Sequence, residues 1–384
     1  MVVEPAQRIA KVEEYYFSKK RSEIAELEKK GADIIHLGIG CPDLQPLPEV
    51  HKSISEALYK PFSNAYQGYR GLPELREAFA NWYKRIYHVE VNPASEILPL
   101  MGSKEGILLI HMAFVNPGDT VLIPDPGYPA YTAAAKLVGA NIKYYNLKEE
   151  NDWQPDFNEL ESLIDDKTKV MWTTYPGMPT AQQAKPGLFE KLISLARKKK
   201  FILVNDNPYS LILTQKANSL LQNPDALDVC VELNSLSKAS NLPGMRMGAA
   251  FANKDVIDCI LRVKSNYDNG MYKPIMEGAI TALNAGDDWY KSINETYERR
   301  RKIGFAFLDK LGCKNYNHDT AGLFLWARVP KRFKDGNECA DYLLYEKSIF
   351  LTPGFIFGKN GNQYIRLSLC STEDLMTKAL NRLD

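Results

Sequence analysis

The stretch Val229–Gly248 reads VCVELNSLSKASNLPGMRMG. Its first seven residues form an apolar-rich run of the kind that makes a strand buried in a sheet. The run ends on Ser235, and after it come Ser237, Lys238 and, eight residues beyond the lysine, Arg246, set among small and apolar residues. A surface loop carries such charges by chance; a site that holds an anion beside a nucleophilic amine requires them. Four further runs read as buried strands: Thr120–Pro124, Lys169–Tyr175, Phe201–Asp206 and Met247–Asn253. Between the second and third of these lies PGLFEKLISLARKKK. There Leu188, Leu192, Leu195 and Ala196 share one helical face, with proline at the start and lysines at the end. Alternation of strand and helix predicts an α/β fold with a mostly parallel sheet covered by helices.

Outward from this middle the pattern changes. Gly71–Tyr87 is an amphipathic helix with Leu75, Phe79, Trp82 and Ile86 in register, and Asp287–Leu311 reads as one long charged helix. Beyond it, Gly322–Val329 and Gln363–Cys370 read as hairpin-like strands, followed by a last helix capped near Ser371. With 384 residues, two domains are expected. The boundaries predicted are 44–286 for a large domain, with 1–43 and 287–384 together forming a smaller α+β domain.

A net charge of +1 gives no long-range attraction to nucleic acid or membrane. The basic runs Arg197–Lys200 and Glu298–Lys302 read as solvated faces or helix ends. Six scattered cysteines without a CxxC pair suit a reducing compartment, and five histidines without HExxH spacing argue against a metal. The charged N-terminus does not read as a signal peptide, and no apolar run approaches membrane-span length, so a cytoplasmic location is expected.

In an open α/β sheet, ligands bind beyond the carboxyl ends of the strands. Asp206 and Tyr209 follow one predicted strand, and Ser235, Ser237 and Lys238 follow the next. MGSKEG (Met101–Gly106) leads into a helix, whose amides would face an anion. With Ser235, Ser237 and Arg246 converging there, a phosphate is the natural occupant.

This combination resembles the class I, fold type I pyridoxal-phosphate-dependent aminotransferases, aspartate aminotransferase-like, over nearly the whole chain. The signature S-x-S-K followed by R-x-G is matched by SLSKASNLPGMRMG, with NDNPY about thirty residues upstream. IHLGIGCPD, YQGYRGLPELREAF, NPGDTVLIPDPGYPAY and YIRLS match as well. The resemblance implies a seven-stranded-type sheet and pyridoxal 5'-phosphate as cofactor. It implies that Lys238 forms the Schiff base with the cofactor aldehyde, that Asp206 pairs with the pyridine nitrogen, and that Tyr209 donates to the ring hydroxyl. Tyr128 would stack on the ring, and Gly102, Ser103, Lys104, Ser235, Ser237 and Arg246 would grip the phosphate. Tyr66 would reach the phosphate of a neighbouring subunit, which implies a homodimer with shared active sites. Arg366, aided by the Gly40 backbone, would hold the substrate α-carboxylate.

One departure stands out. The family pattern N-Y-P-x-N-P-T-G is TYPGMPTA here (Thr174–Ala181), and Met178 replaces an asparagine that donates to the ring hydroxyl. A thioether has no proton to donate. The function expected is transamination between an α-amino acid and a 2-oxo acid; the alternative is a C–S β-lyase using the same residues up to the carbanion. A non-catalytic cofactor-binding domain of a regulator is a third class, disfavoured by the intact Lys238. Some relatives clamp an acidic side chain with an arginine that Ser265–Ala279 does not offer, and relatives with a lysine after this glycine turn can use it for a distal carboxylate. The resemblance therefore leaves aspartate, glutamate or a longer diamino-dicarboxylate open, with Lys104 as its partner.

Overall fold

The computed structural model describes residues 3–12, 14, 16–314, 316 and 318–384. Seven strands form the central sheet: β1 (Ile97–Leu100), β2 (Thr120–Asp125), β3 (Asn141–Asn146), β4 (Thr168–Thr173), β5 (Ile202–Asp206), β6 (Cys230–Ser235) and β7 (Gly248–Phe251). Their order is β1-β7-β6-β5-β4-β2-β3. Only β7 runs antiparallel to its neighbours. All residues of β1, β2, β6 and β7 are buried, as expected of strands covered by helices on both faces.

The two strands that periodicity does not reveal have physical reasons for escaping. β1 is only four residues long and carries Pro99, while β3, NIKYYN, lies at the sheet edge and mixes polar with apolar residues. The helix Leu188–Lys199 buries Leu188, Leu192, Leu195 and Ala196 as the sequence implies. Its N-cap is Gly187, in a left-handed conformation, so the nearest proline lies just before the cap. Helix Pro73–Tyr87 buries a wider face than its heptad suggests, adding Ala78, Tyr83 and Tyr87, while Ile86 stays half-buried.

The smaller domain holds a three-stranded sheet in which Phe324–Arg328 and Thr352–Pro353 flank Tyr364–Ser368, all antiparallel. Phe324–Arg328 and Tyr364–Ser368 are neighbours, but helix Gly336–Lys347 separates them in sequence, so they are no hairpin. The long helix spans Asp287–Leu311, and the last helix is capped, as expected near Ser371, by the adjacent Thr372, whose side chain accepts from the Leu375 amide. Ile35–His36 pairs in parallel with Ile349–Phe350, tying the two chain ends together.

The basic run Glu298–Lys302 is not a uniformly solvated face. Arg300 is buried, forms a two-pronged pair with Asp43 (2.6 and 2.8 Å) and also donates to Leu369 O. A charge so far from water requires that pairing. Arg197, by contrast, is exposed and pairs with Asp225 and Asp228. Among the described residues no helix is long and apolar enough to cross a membrane, and no group of three or more His, Cys, Asp or Glu is placed to hold a metal.

Candidate active site

The carboxyl ends of β1, β4, β5 and β6 and the start of β7 meet at one edge of the sheet. A cavity opens there, lined by Gly40, Ser103, Lys104, Tyr128, Asp206, Tyr209, Ser235, Ser237, Lys238, Arg246 and Arg366. Eleven of the thirteen residues to which the resemblance gives a binding or catalytic role therefore share one cavity, and Met178 lines it too. Gly102 is not among its lining residues but packs against the Arg246 guanidinium. Tyr66 lies away from it and is almost fully exposed.

The anion-binding end is built by backbone geometry. Gly102, at φ +80°, turns the chain into helix Ser103–Phe114, and a side chain there would collide with Arg246 Nη2. A Cβ on Gly248 would come 2.9 Å from the Ser103 amide nitrogen, so the last glycine of the signature keeps that donor reachable. Ser235 caps the short helix Leu236–Ala239 by accepting from the Ser237 amide, and Arg246 Nη1 donates to Ser237 Oγ at 3.3 Å. Glu105, a carboxylate in the first turn, would repel an anion. Fully buried Lys264 pairs with it at 3.0 Å and also with Asp268, while Glu105 accepts from the Met101 amide at 2.6 Å and so braces the turn.

Asp206 ends β5 with both oxygens buried. Oδ2 accepts from Tyr131 Oη at 3.0 Å, whereas Oδ1 has no partner among the described residues. Burial pushes its pKa up to about 6, against the pull of Tyr131 and Lys238. The unpaired Oδ1 suits a ligand that brings its own N–H and positive charge. Lys238 Nζ donates to Gly40 O at 2.6 Å. Burial lowers the pKa of this amine, with Arg366 and Arg246 adding to the effect, which favours the neutral, nucleophilic form.

The other end of the cavity is assembled from distant segments. Arg366 Nη2 donates to Gly38 O at 2.9 Å and Nη1 to Met178 Sδ at 3.3 Å. Its guanidinium lies over the rings of Phe324, Phe357 and Phe17, at 3.9, 4.8 and 5.8 Å from their centroids. Gly40 is required to be glycine, since a Cβ would strike the Phe324 ring. Its carbonyl serves Lys238, and it is Gly38 that contacts Arg366. The sequence reading missed Tyr131, Gly38 and the helix Tyr16–Lys29, which delivers Phe17 and Arg21 to the cavity. A second aromatic in PGYPAY was the available hint for Tyr131; nothing local marks Phe17 or Arg21.

Residues 32–383 match the family model described as aminotransferase class I and II. The chain is 38% identical to an LL-diaminopimelate aminotransferase of Oleidesulfovibrio alaskensis and 36% identical to one of Aquifex aeolicus, each alignment covering 98% of both chains. Among solved structures, apo-BacF from Bacillus subtilis superposes with a TM-score of 0.94 at 32% identity, over 99% of this chain and 98% of that one. The chain thus belongs to the aminotransferase class I and II family, the fold-type-I enzymes of amino-group transfer that depend on pyridoxal phosphate.

Proposed function

We propose that this enzyme transfers the amino group of an α-amino acid bearing a second, distal carboxylate to a 2-oxo acid, with pyridoxal 5'-phosphate as its cofactor. The observation that carries the substrate class is charge. Five basic side chains line the cavity (Arg21, Lys104, Lys238, Arg246 and Arg366) against one carboxylate, Asp206. A phosphate at the Ser103–Arg246 end answers Arg246, an α-carboxylate answers Arg366, and Lys238 is spent on the cofactor. Arg21 and the Lys104 side chain add two further basic groups to the same cavity, which suits a second carboxylate. The names of the relatives, LL-diaminopimelate aminotransferases, make that diamino-dicarboxylate the first candidate, with aspartate and glutamate next.

The residues present fit the cofactor. The Gly102–Lys104 turn with Ser235, Ser237 and Arg246 would hold its phosphate, Asp206 its ring nitrogen, Tyr209 its ring hydroxyl, and Tyr128 its ring face. Pyridoxal phosphate, when bound, supplies an aldehyde that carries the amino group and a protonated ring that accepts the electron pair left at the substrate Cα. Lys238 Nζ takes the Cα proton and returns it at the neighbouring position; one flexible amine reaches both. Arg366 orients the α-carboxylate with two parallel N–H donors.

A homodimer is part of the proposal. Tyr59, Phe62, Tyr66 and Tyr267 are all more than 60% exposed. Their two segments are neighbours, since the Lys273 ammonium donates to Pro61 O. Aromatic surface of this kind is what a subunit contact covers. The boundaries 44–286, with 1–43 and 287–384 as the smaller domain, belong to the proposal too, supported by the pairing of Ile35–His36 with Ile349–Phe350.

The test is a half-reaction screen of the cofactor-loaded enzyme against a panel of amino acids, read by the change in visible absorbance. LL-diaminopimelate, aspartate and glutamate are expected to react faster than alanine or methionine, and sustained turnover is expected to need a 2-oxo acid. Steady release of pyruvate and thiol from a cysteine conjugate, with no 2-oxo acid added, would assign the β-lyase reaction instead.

A further inference from the structure

The catalytic roles proposed above leave one buried array unused. Tyr131 follows β2, in helix Pro129–Val138, and is fully buried. Its ring stacks on Trp172 of β4, centroids 4.6 Å apart and planes within 13°. The Trp172 ring stacks in turn on His111 of helix Ser103–Phe114, at 5.4 Å and 12°. Trp172 Nε1 donates to His111 Nε2 at 3.3 Å, and His111 Nδ1 lies 2.7 Å from Ile107 O. Burial lowers the His111 pKa to about 4, so the ring is neutral at physiological pH. Each bond then has its donor: Nδ1–H for the carbonyl, the indole N–H for Nε2. At the other end of this stack the Tyr131 hydroxyl donates to Asp206 Oδ2.

We propose that Tyr131 is a positioning residue for the cofactor: clamped by the Trp172–His111 stack, it fixes the plane of the Asp206 carboxylate by engaging Oδ2 and so reserves Oδ1 for the ring nitrogen. A freely rotating carboxylate would spread its charge over several orientations. One oxygen tied to a hydroxyl that cannot turn leaves the other, which has no hydrogen-bond partner among the described residues, for a ligand in the cavity that Asp206 lines. Tyr131 also braces Tyr128, the residue expected on the ring face, edge-on at 5.6 Å. The stack starts on the helix whose first turn would hold the phosphate. One packed array therefore sets the relative placement of all three cofactor contacts.

The charge state of Asp206 follows from the same bond. Tyr131, bonded to it, and Lys238 are the titratable groups that act on it, and Tyr128 and Tyr209 line the same cavity. The Tyr131 hydroxyl favours the carboxylate, so removing it raises the Asp206 pKa above its present value of about 6. Binding a ring that carries its own proton then has to expel the Asp206 proton over a wider pH range.

This inference rests on the pyridoxal-phosphate reading, and its test separates the two. Cofactor affinity is measured by titrating the cofactor-free chain with pyridoxal phosphate between pH 5 and 9, for the parent and for Tyr131→Phe, which keeps the ring and its stack. The variant is expected to bind about tenfold more weakly at neutral pH, with the acid limb of its affinity profile moved up by about one unit. In an Asp206→Ala background the same substitution is expected to change affinity less than twofold, since its route of action is gone. Failure of the parent to bind pyridoxal phosphate sinks the cofactor reading itself. Parent-like affinity and an unmoved acid limb in Tyr131→Phe, or an equal loss with and without Asp206, overturns the positioning role alone. If Tyr131→Phe does not fold, Trp172→Phe, which drops the bond to His111, is expected to move the acid limb the same way, and an unmoved limb there is equally fatal.

Discussion

The two ends of the cavity are made differently. The anion-binding end comes from two short segments, Met101–Lys104 and Ser235–Gly248, held side by side because β7 pairs with both β1 and β6. Glycine conformations, a helix start and one serine cap define it, so backbone does most of the positioning. The carboxylate end draws on Phe17, Arg21, Gly38, Met178, Phe324, Phe357 and Arg366, which meet only when both domains and the N-terminal helix have packed. Its geometry is set by side chains resting on side chains. On the proposed roles, the first end would fix one cofactor, while the second could be retuned residue by residue, and substrate choice would belong there.

The sharpest way to break this division is at the point where the two ends meet. Lys238→Ala removes the amine that serves both, and turnover is expected to fall about 10⁴-fold. Borohydride reduction followed by peptide mapping should find no cofactor adduct. An adduct on another lysine would move the reactive amine out of the signature. Next comes Asp206→Ala, which on the proposed role would leave the bound cofactor ring without its counter-charge, a loss of about 3–5 kcal/mol. Half-reaction rates should drop by roughly 10²–10³-fold or more, while near-normal rates would remove Asp206 from the electron-accepting role.

Asp206 also marks the cofactor-free protein. Burial holds its folded pKa up at about 6, well above the usual carboxylate range. Its protonation therefore contributes stability that is complete below about pH 4 and lost as pH rises through about 6, roughly 3 kcal/mol in all. Melting of the cofactor-free parent should shift upward from pH 7 to pH 5 relative to Asp206→Asn. Parallel melting curves for the two proteins would show that the buried carboxylate is compensated.

The same contrast explains what the sequence could reveal. Strands such as Cys230–Ser235, and the serines, lysine and arginine beside it, are legible because sequence neighbours stay spatial neighbours at a strand end. Tyr131 was illegible as an Asp206 partner because its role depends on β2 and β5 lying two strands apart with β4 between them, a fact of sheet order. Arg21 was illegible for a stronger reason: nothing in YFSKKRSEIAELEK distinguishes the arginine that faces a cavity from the lysines that face water. Arg300 misled in the opposite direction, since a run of basic residues says nothing of the Asp43 carboxylate waiting some 250 positions away.

At the carboxylate end, uniform and selective losses should separate. Arg366→Lys replaces a planar fork stacked on Phe324 by a point charge, and kcat/KM is expected to fall about 10- to 100-fold for every amino acid tested. Lys104→Ala and Arg21→Ala should instead raise KM about tenfold for amino acids with a distal carboxylate and leave alanine and methionine nearly unchanged. Equal losses for both substrate groups would return Lys104 to the phosphate and Arg21 to a role in helix packing.

The smallest expected effect comes from Met178, where the two ends touch. Its sulfur accepts from Arg366 Nη1, so it keeps the acceptor half of an asparagine's role, and it has no donor to offer the cofactor's ring oxygen. In the parent that oxygen is expected to rely on Tyr209 and on the proton of the lysine–cofactor link. Met178→Asn would supply a donor, stabilise the oxygen anion and weaken its hold on that proton. A hydrogen bond to a charged group is worth about 1.5–3 kcal/mol, of which only the difference between the two protonation states counts. The pH midpoint of the visible band of the cofactor-loaded enzyme should therefore fall by about one unit or less. The amide oxygen of the new side chain can still accept from Arg366, so KM for the amino acid should change less than twofold. An unmoved or raised midpoint would mean that residue 178 serves Arg366 alone, and that the boundary between the cofactor end and the substrate end lies on the cofactor side of this side chain.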